Sequence, residues 1–302
     1  MNIAISGFTG FIGNNLSNFL NKYENINIIL ISRNSSIDDD SYSYDDFFLG
    51  NVVERIDLFI HLASPNYDYC KDDSLRNGIV VLTENILRNL ENYDCKKFIY
   101  FSSCKVYGES SMCNDVYSES SKLNPISDYA KAKAEAETIV SGVSLKKNIS
   151  FLIYRLPFVY GNGMKSNLKS LLNIINLSIP FILVKSKSSP KKSFVCVDNI
   201  NKTLIYNIQN PHSINNSILN LSDNNSVTLN DFLNEYKKVS NSKTIFLRFP
   251  IIFFTVLSKI PVLGNIILKI YGGFDIDNSM IKKNTHLSLL STSEGIQYLN
   301  SK

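Results

Sequence analysis

A tyrosine four residues ahead of a lysine is a spacing that can do chemistry. On a helix it sets a phenol and an ammonium one turn apart on the same face. The ammonium then favours the phenolate form of a group whose ordinary pKa is about 10. The sequence holds four such pairs, Tyr67/Lys71, Tyr93/Lys97, Tyr129/Lys133 and Tyr298/Lys302. With 16 tyrosines among 302 residues, the spacing by itself selects none of them, but their surroundings differ. Tyr67/Lys71 follows a proline in a stretch without helical pattern, Tyr93/Lys97 straddles a helix end and a strand start, and Tyr298/Lys302 ends the chain. Tyr129/Lys133 alone opens a strong helix: "PISD" supplies a proline and capping residues, and "AKAKAEAE" is rich in helix formers. Just upstream, the strand-like "KFIYFSS" ends in Ser102 and Ser103, at the edge where a cofactor should lie.

A second chemical signature opens the chain. The apolar run "NIAIS" leads into "SGFTGFIG", with Gly7, Gly10 and Gly13, and then into a helical pattern. Glycines permit the tight turn and let a pyrophosphate reach the backbone, while the helix start offers free N–H groups and a positive dipole end. After the next strand, "LISRN" places Ser32 where an acid would bind the ribose 2′-hydroxyl of NAD, with Arg33 beside it. A guanidinium suits a 2′-phosphate, so NADP(H) is favoured and NAD(H) stays open.

The elements that must position these groups form an alternating series. "NIAIS", "INIILIS", "LFIHLAS", "KFIYFSS" and "ISFLIYRLP" read as buried strands, with helical "FIGNNLSNFLNKY", "LRNGIVVLTENILRNLENY" and "DYAKAKAEAETIVSGVS" between them. This predicts an α/β fold, a doubly wound parallel sheet with ligands beyond the carboxyl ends of its strands. The alternation weakens after about residue 160. The expected organisation is a dinucleotide domain over 1–160, joined by some elements near 195–222, and a smaller substrate-binding domain over 161–302.

Bulk properties narrow the class. The net charge of +4 is too small and scattered to argue for nucleic acid. Five cysteines without a C-x-x-C pair and three dispersed histidines (61, 212, 286) read as reduced thiols and no metal site, in a cytoplasmic protein without a signal peptide. The acidic "SIDDDSYSYDD" reads as a solvated loop. Residues 249–270, "FPIIFFTVLSKIPVLGNIILKI", have the length of a membrane span but are broken by Lys259, Pro261, Gly264, Asn265 and Lys269. A buried or lid-forming segment is expected there, with membrane-surface contact as the alternative.

These motifs together resemble the extended short-chain dehydrogenase/reductase family, in its sugar-nucleotide epimerase/dehydratase branch. "SGFTGFIG" is similar to the family's glycine fingerprint, "IHLAS" to its strand along the cofactor, "FSSCKVYG" to the serine strand and "YAKAK" to the Tyr-Lys helix; "RLPFVYGNG" and "KKSFVCVDNI" resemble the segments entering the substrate domain. The resemblance implies a Rossmann fold and a catalytic set of Ser103, Tyr129 and Lys133. It implies cofactor contacts from Gly7, Thr9, Gly10, Phe11, Ile12, Gly13, Ser32, Arg33, Leu62, Ala63, Ser64, Asn77, Tyr129, Lys133 and Pro157. Lys105, Phe158, Lys191 and Lys192 become substrate contacts, the lysines toward a diphosphate. Cys104-Lys105 stands where the 4,6-dehydratases carry the Asp-Glu pair that eliminates water. The segment pattern and the tail "GGFDIDNSMIKK" are closest to a subgroup acting on 6-deoxy-hexosamine nucleotides in surface-polysaccharide synthesis. The expected activity is therefore NADPH-dependent reduction of a UDP-linked 4-keto-6-deoxy sugar. A nucleotide-sugar 4-epimerase with tightly held NAD(P) and a non-catalytic NADP-binding sensor are the alternatives, and a homodimer remains open.

Overall fold

The computed structural model describes residues 1–33, 41–53, 55–65, 73–164, 167–185, 189–211 and 215–299. The chain divides into two compact units. The first comprises residues 1–108, 122–155 and 207–219, the second residues 109–121, 156–206 and 220–302.

The first unit is built on a seven-stranded sheet. Its elements are β1 (Asn2–Ser6), α1 (Phe11–Leu20), β2 (Asn27–Ser32), β3 (Ser41–Ser43), α2 (Tyr44–Phe48), β4 (Leu58–His61), α3 (Asp73–Arg76), α4 (Leu82–Asn89), β5 (Lys97–Ser103), α5 (Asp128–Lys146), β7 (Ser150–Leu156) and β12 (Ser217–Asn220). The strand order is β12-β7-β5-β4-β1-β2-β3, and β1 pairs in parallel with both β2 and β4. The chain thus leaves β1 in one direction and returns on its other side, which makes the β1/β4 boundary the switch point where such sheets bind ligands. Isoleucine- and phenylalanine-rich strands are what burial on both faces requires. β4 is buried throughout, as are Phe98 to Phe101 of β5.

Part of the acidic segment departs from the loop reading. Residues 41–48 form β3 and α2, because Ser43 and Asp46 close a capping box and Phe47 is fully buried against Tyr93. Residues 34–40 lie outside the described part.

The second unit holds β6 (Val116–Tyr117), β8 (Phe158–Tyr160), α6 (Asn167–Asn176), β9 (Phe181–Lys185), β10 (Lys191–Lys192), β11 (Phe194–Cys196), α7 (Val197–Gln209), β13 (Val227–Thr228), α8 (Leu229–Val239), β14 (Phe246–Pro250), α9 (Ile251–Leu257), α10 (Leu263–Tyr271), β15 (Asp275–Ile276), α11 (Ser279–Thr285) and α12 (Thr292–Gln297). Among the described residues its strands form two-stranded sheets. The buried carboxylate of Asp223 ties it together, accepting from Cys196 N, Asn199 Nδ2 and the Tyr160 hydroxyl, each at 2.8 Å. Of the alternatives expected for residues 249–270, the buried segment is not what forms. These residues become the end of β14 and the helices α9 and α10, with Phe254 and Ile267 inward and most other apolar side chains exposed. Among the described residues no helix is long and apolar enough to cross a membrane.

Candidate active site

β1 ends at Ser6 and passes into Gly7 with φ +81°. A Cβ at Gly7 would lie 2.5 Å from Ala63 N and 2.7 Å from Ala63 Cα, so the Leu62–Ala63 backbone leaving β4 leaves no room for a side chain. A Cβ at Gly13 would lie 2.3 Å from Gly7 O and 2.6 Å from Phe8 Cα. Gly10 N donates to Gly7 O at 3.1 Å and is the N-cap of α1, which has no side-chain cap and no acid in its first turn. Thr9 and Gly10 are exposed, Phe11 and Ile12 half-buried. Uncapped N–H groups on a turn stripped of Cβ atoms fit a dinucleotide pyrophosphate. Ser32 closes β2 and the exposed Arg33 follows it. Burial pushes the Tyr44 phenol up to about 12, against smaller lowering effects of the Ser6 hydroxyl and the Arg33 charge. Ser64 and Asn77 are exposed in the same unit.

The Tyr-Lys helix forms as its sequence requires. Ser127 caps α5 by accepting from Ala130 N at 3.4 Å, which places Tyr129 in the first turn and Lys133 one turn on. Burial pushes the Tyr129 phenol up to about 12, against the nearby hydroxyls of Ser64 and Ser103, which favour phenolate. Lys133 is 2% exposed. Its Nζ donates to Phe101 O at 2.9 Å, 4.7 Å from the Tyr100 ring centre and 5.9 Å from that of Tyr129. Burial pulls the Lys133 ammonium down to about 7, against the upward pull of Glu137. Ser103, half-buried at the end of β5, accepts from Lys105 N at 3.3 Å. Ser102 is buried, its side chain on the opposite side of the strand because residues alternate.

The other three pairs do not assemble this way. Tyr93 donates to Phe47 O at 2.5 Å, whereas Lys97 donates to Pro211 O at 2.9 Å, so the two serve different packing contacts. Tyr298 is half exposed beyond α12. Tyr67, Lys71 and Lys302, like His212, fall outside the described residues.

Two features beside the site were missed from the sequence. Glu137 continues the Tyr129/Lys133 face one more turn. It forms a buried ion pair with Arg155, with Nε to Oε1 at 3.0 Å and both side chains 4% exposed, and Arg155 also donates to the Tyr107 hydroxyl at 2.9 Å. The repeat at i, i+4 and i+8 was the available signal. The other feature is His61, fully buried, with Ser6 Oγ at 2.6 Å from Nδ1 and Thr83 Oγ1 at 3.0 Å from Nε2. Thr83 spends its own proton on Ile79 O at 2.5 Å, so Nε2 must be the donor and Nδ1 the acceptor from Ser6. Burial, aided by the Lys133 charge, pulls His61 down to about 3 and keeps it neutral.

Of the remaining candidates, Pro157, Phe158, Lys191 and Lys192 belong to the second unit. Phe158 and Lys191 are exposed. Lys192 is 3% exposed and turned inward, its Nζ donating to Lys269 O at 2.8 Å and Ile270 O at 2.9 Å and lying 5.2 Å from the Phe158 ring centre.

A doubly wound sheet carrying a glycine turn at its switch point defines an NAD(P)-dependent enzyme of the short-chain dehydrogenase/reductase type. The chain belongs to the NAD dependent epimerase/dehydratase family, whose profile matches residues 3–222. It is 24% identical over 296 residues to a UDP-glucose 4-epimerase of Vibrio cholerae, covering 93% of this chain and 88% of that protein. To a dTDP-D-glucose 4,6-dehydratase of Dictyostelium discoideum it is 30% identical over 193 residues, 53% of this chain and 44% of that protein. Among solved structures, a UDP-glucuronic acid 4-epimerase from Bacillus cereus in complex with NAD superimposes with TM-score 0.76 at 18% identity, covering 99% of this chain and 97% of that one. That likeness is one of fold.

Proposed function

We propose that the chain oxidises or reduces carbon 4 of a nucleotide sugar with NADP(H). The first unit would hold the dinucleotide and the second the sugar nucleotide. The observation that carries this reading is the joining of Ser103, Ser64 and Lys133 around the Tyr129 phenol, in the same unit as the uncapped glycine turn. When bound, the nicotinamide supplies or withdraws hydride. The Tyr129 hydroxyl passes a proton to or from the sugar C4 oxygen, and Ser103 donates to that oxygen as negative charge develops. Lys133 stabilises the phenolate while it is charged and holds the nicotinamide ribose. Arg33, which follows Ser32 in the position an NAD-binding acid would hold, takes the 2′-phosphate. Lys191 remains for the diphosphate, because the ammonium of Lys192 is engaged by backbone carbonyls.

Net reduction of a UDP-linked 4-keto-6-deoxy-hexosamine is the first specific reading. Cys104-Lys105 leaves no acid pair for eliminating water, so the keto sugar would come from another enzyme, and Arg33 suits a cofactor drawn from the reducing pool. The second reading, 4-epimerisation with one retained cofactor, is supported by the relative of that name spanning 93% of the chain. Stoichiometry separates them. Purified protein with NADPH and a panel of 4-keto-6-deoxy nucleotide sugars should consume one NADPH per product. Interconversion of two 4-epimers without added NADPH, and no NADPH oxidation with the keto sugars, would replace reduction by epimerisation. Arg33→Ala should lower the NADPH-to-NADH affinity ratio about tenfold; an unchanged ratio removes the argument for NADP(H).

A further inference from the structure

We propose that the surface formed by β14, α9 and α10 docks the second unit on an anionic lipid bilayer. The hairpin of α9 and α10 is tightly closed. Gly264 N donates to Ile260 O at 2.7 Å, and a Cβ at Gly264 would lie 2.2 Å from Ser258 O. Phe254 and Tyr271 meet inside it, with ring centres 4.4 Å apart. These residues turn inward, while Leu247 of β14, Ile252, Phe253 and Val256 of α9, Val262 at the turn and Ile266 of α10 are exposed to solvent. Val262, at the tip, is 78% exposed and Ile252 69%. Such a run of large apolar side chains exceeds the scattered exposure normal for a soluble surface. The tip is also conformationally costly. Val262 has φ +65° and ψ −58°, a strained three-residue turn closed by Leu263 N to Pro261 O at 2.7 Å, and no β-branched residue adopts it without support.

Charge selects the occupant. No aspartate or glutamate occurs between Tyr236 and Phe274, whereas Lys243, Lys259 and Lys269 in that interval are all exposed. Arg248 is discounted, since it shares a groove with Asp231 and Glu235. Exposed aliphatic and phenylalanine side chains with lysines among them match the boundary between acyl chains and anionic headgroups, where the chains bury and the ammonium groups reach phosphate. A second copy of the same face would set lysine against lysine, which disfavours self-pairing. Since α9 and α10 are each too short to span the bilayer, the face would lie on the membrane and not in it.

Flotation of the full chain with vesicles tests this directly, using phosphatidylcholine alone and phosphatidylcholine with added phosphatidylglycerol. Wild type should float with the anionic vesicles, far less with neutral ones, and less as salt rises. Ile252→Asp with Val262→Asp should cut binding about tenfold or more, and Lys259→Gln with Lys269→Gln about fivefold for each charge removed. Unchanged thermal midpoints in both variants would show that the fold is intact. The proposal is overturned if wild type fails to float with anionic vesicles. It is equally overturned if binding ignores lipid charge, or if the apolar variant instead dissociates a dimer seen by gel filtration. None of these outcomes depends on the catalytic reading.

Discussion

Two regions of the molecule each bury a lysine, and burial pulls both down from 10.5 to about 7. In the first unit Lys133 sits one turn from Tyr129, giving a single proton to Phe101 O. In the second, Lys192 gives two protons to the last carbonyls of α10. There the helix's negative end and its orphan acceptors engage it, and among the described residues its ammonium meets backbone carbonyls and the Phe158 ring. Burial and a displaced pKa are therefore shared by the lysine proposed for chemistry and one held by backbone carbonyls. What separates them is the neighbour: a phenol held by two serine hydroxyls in one case, backbone in the other.

Breaking each lysine sharpens the contrast. Lys133→Met should lower turnover about 10²- to 10⁴-fold, whereas Lys192→Met should leave kcat within a few-fold and loosen the end of α10. In pH the two should behave alike. Each folded-state pKa lies below the unfolded value, so the folded chain binds fewer protons between about pH 7 and 10.5 and stability rises with pH across that window. Urea midpoints measured across it should climb less steeply in either variant than in wild type. A loss of turnover in Lys192→Met equal to that in Lys133→Met would erase the distinction.

Beneath Lys133, Glu137→Gln leaves Arg155 buried beside a neutral amide and should cost about 3–5 kcal/mol in urea unfolding. An effect below about 1 kcal/mol would mean that the pair is hydrated in solution. Gly13→Ala should cost about 1–3 kcal/mol, because its Cβ would meet the Gly7 carbonyl, and should weaken dinucleotide binding in a fluorescence titration. Retained affinity would show that the turn can shift to accept a methyl group.

These sites also show what a sequence can disclose. The five strands and the helix that sets Tyr129 and Lys133 one turn apart were legible because their signals are local: apolar runs, a proline and a serine cap, and a run of helix formers. Glu137 was equally local and went unread because a glutamate on a helix ordinarily faces water. His61 was not legible, since its partner Ser6 is 55 residues away and becomes its neighbour only through the β1–β4 register. The sequence offers Lys191 or Lys192 to a diphosphate; the inward turn of Lys192 is not legible there, because the carbonyls that engage it lie 77 and 78 residues further on. For the apolar segment at 249–270 the sequence leaves a buried segment, a lid and a membrane-surface contact open, because composition reports hydrophobicity and not which side of a hairpin faces out.

The smallest effect concerns His61. Its imidazole resonances should not titrate between about pH 5 and 8, because Ser6 donates to it and burial opposes its charge. An inflection near pH 6.5 would show that the buried chain from Ser6 to Thr83 opens in solution.

The central claim is that Tyr129 moves the proton. Single-turnover hydride transfer, followed at the nicotinamide absorbance in wild type and Tyr129→Phe with NADPH and a 4-keto-6-deoxy nucleotide sugar, tests it most directly. The account predicts a rate lowered about 10²-fold or more with dinucleotide affinity nearly unchanged. Transfer in Tyr129→Phe at the wild-type rate would contradict it.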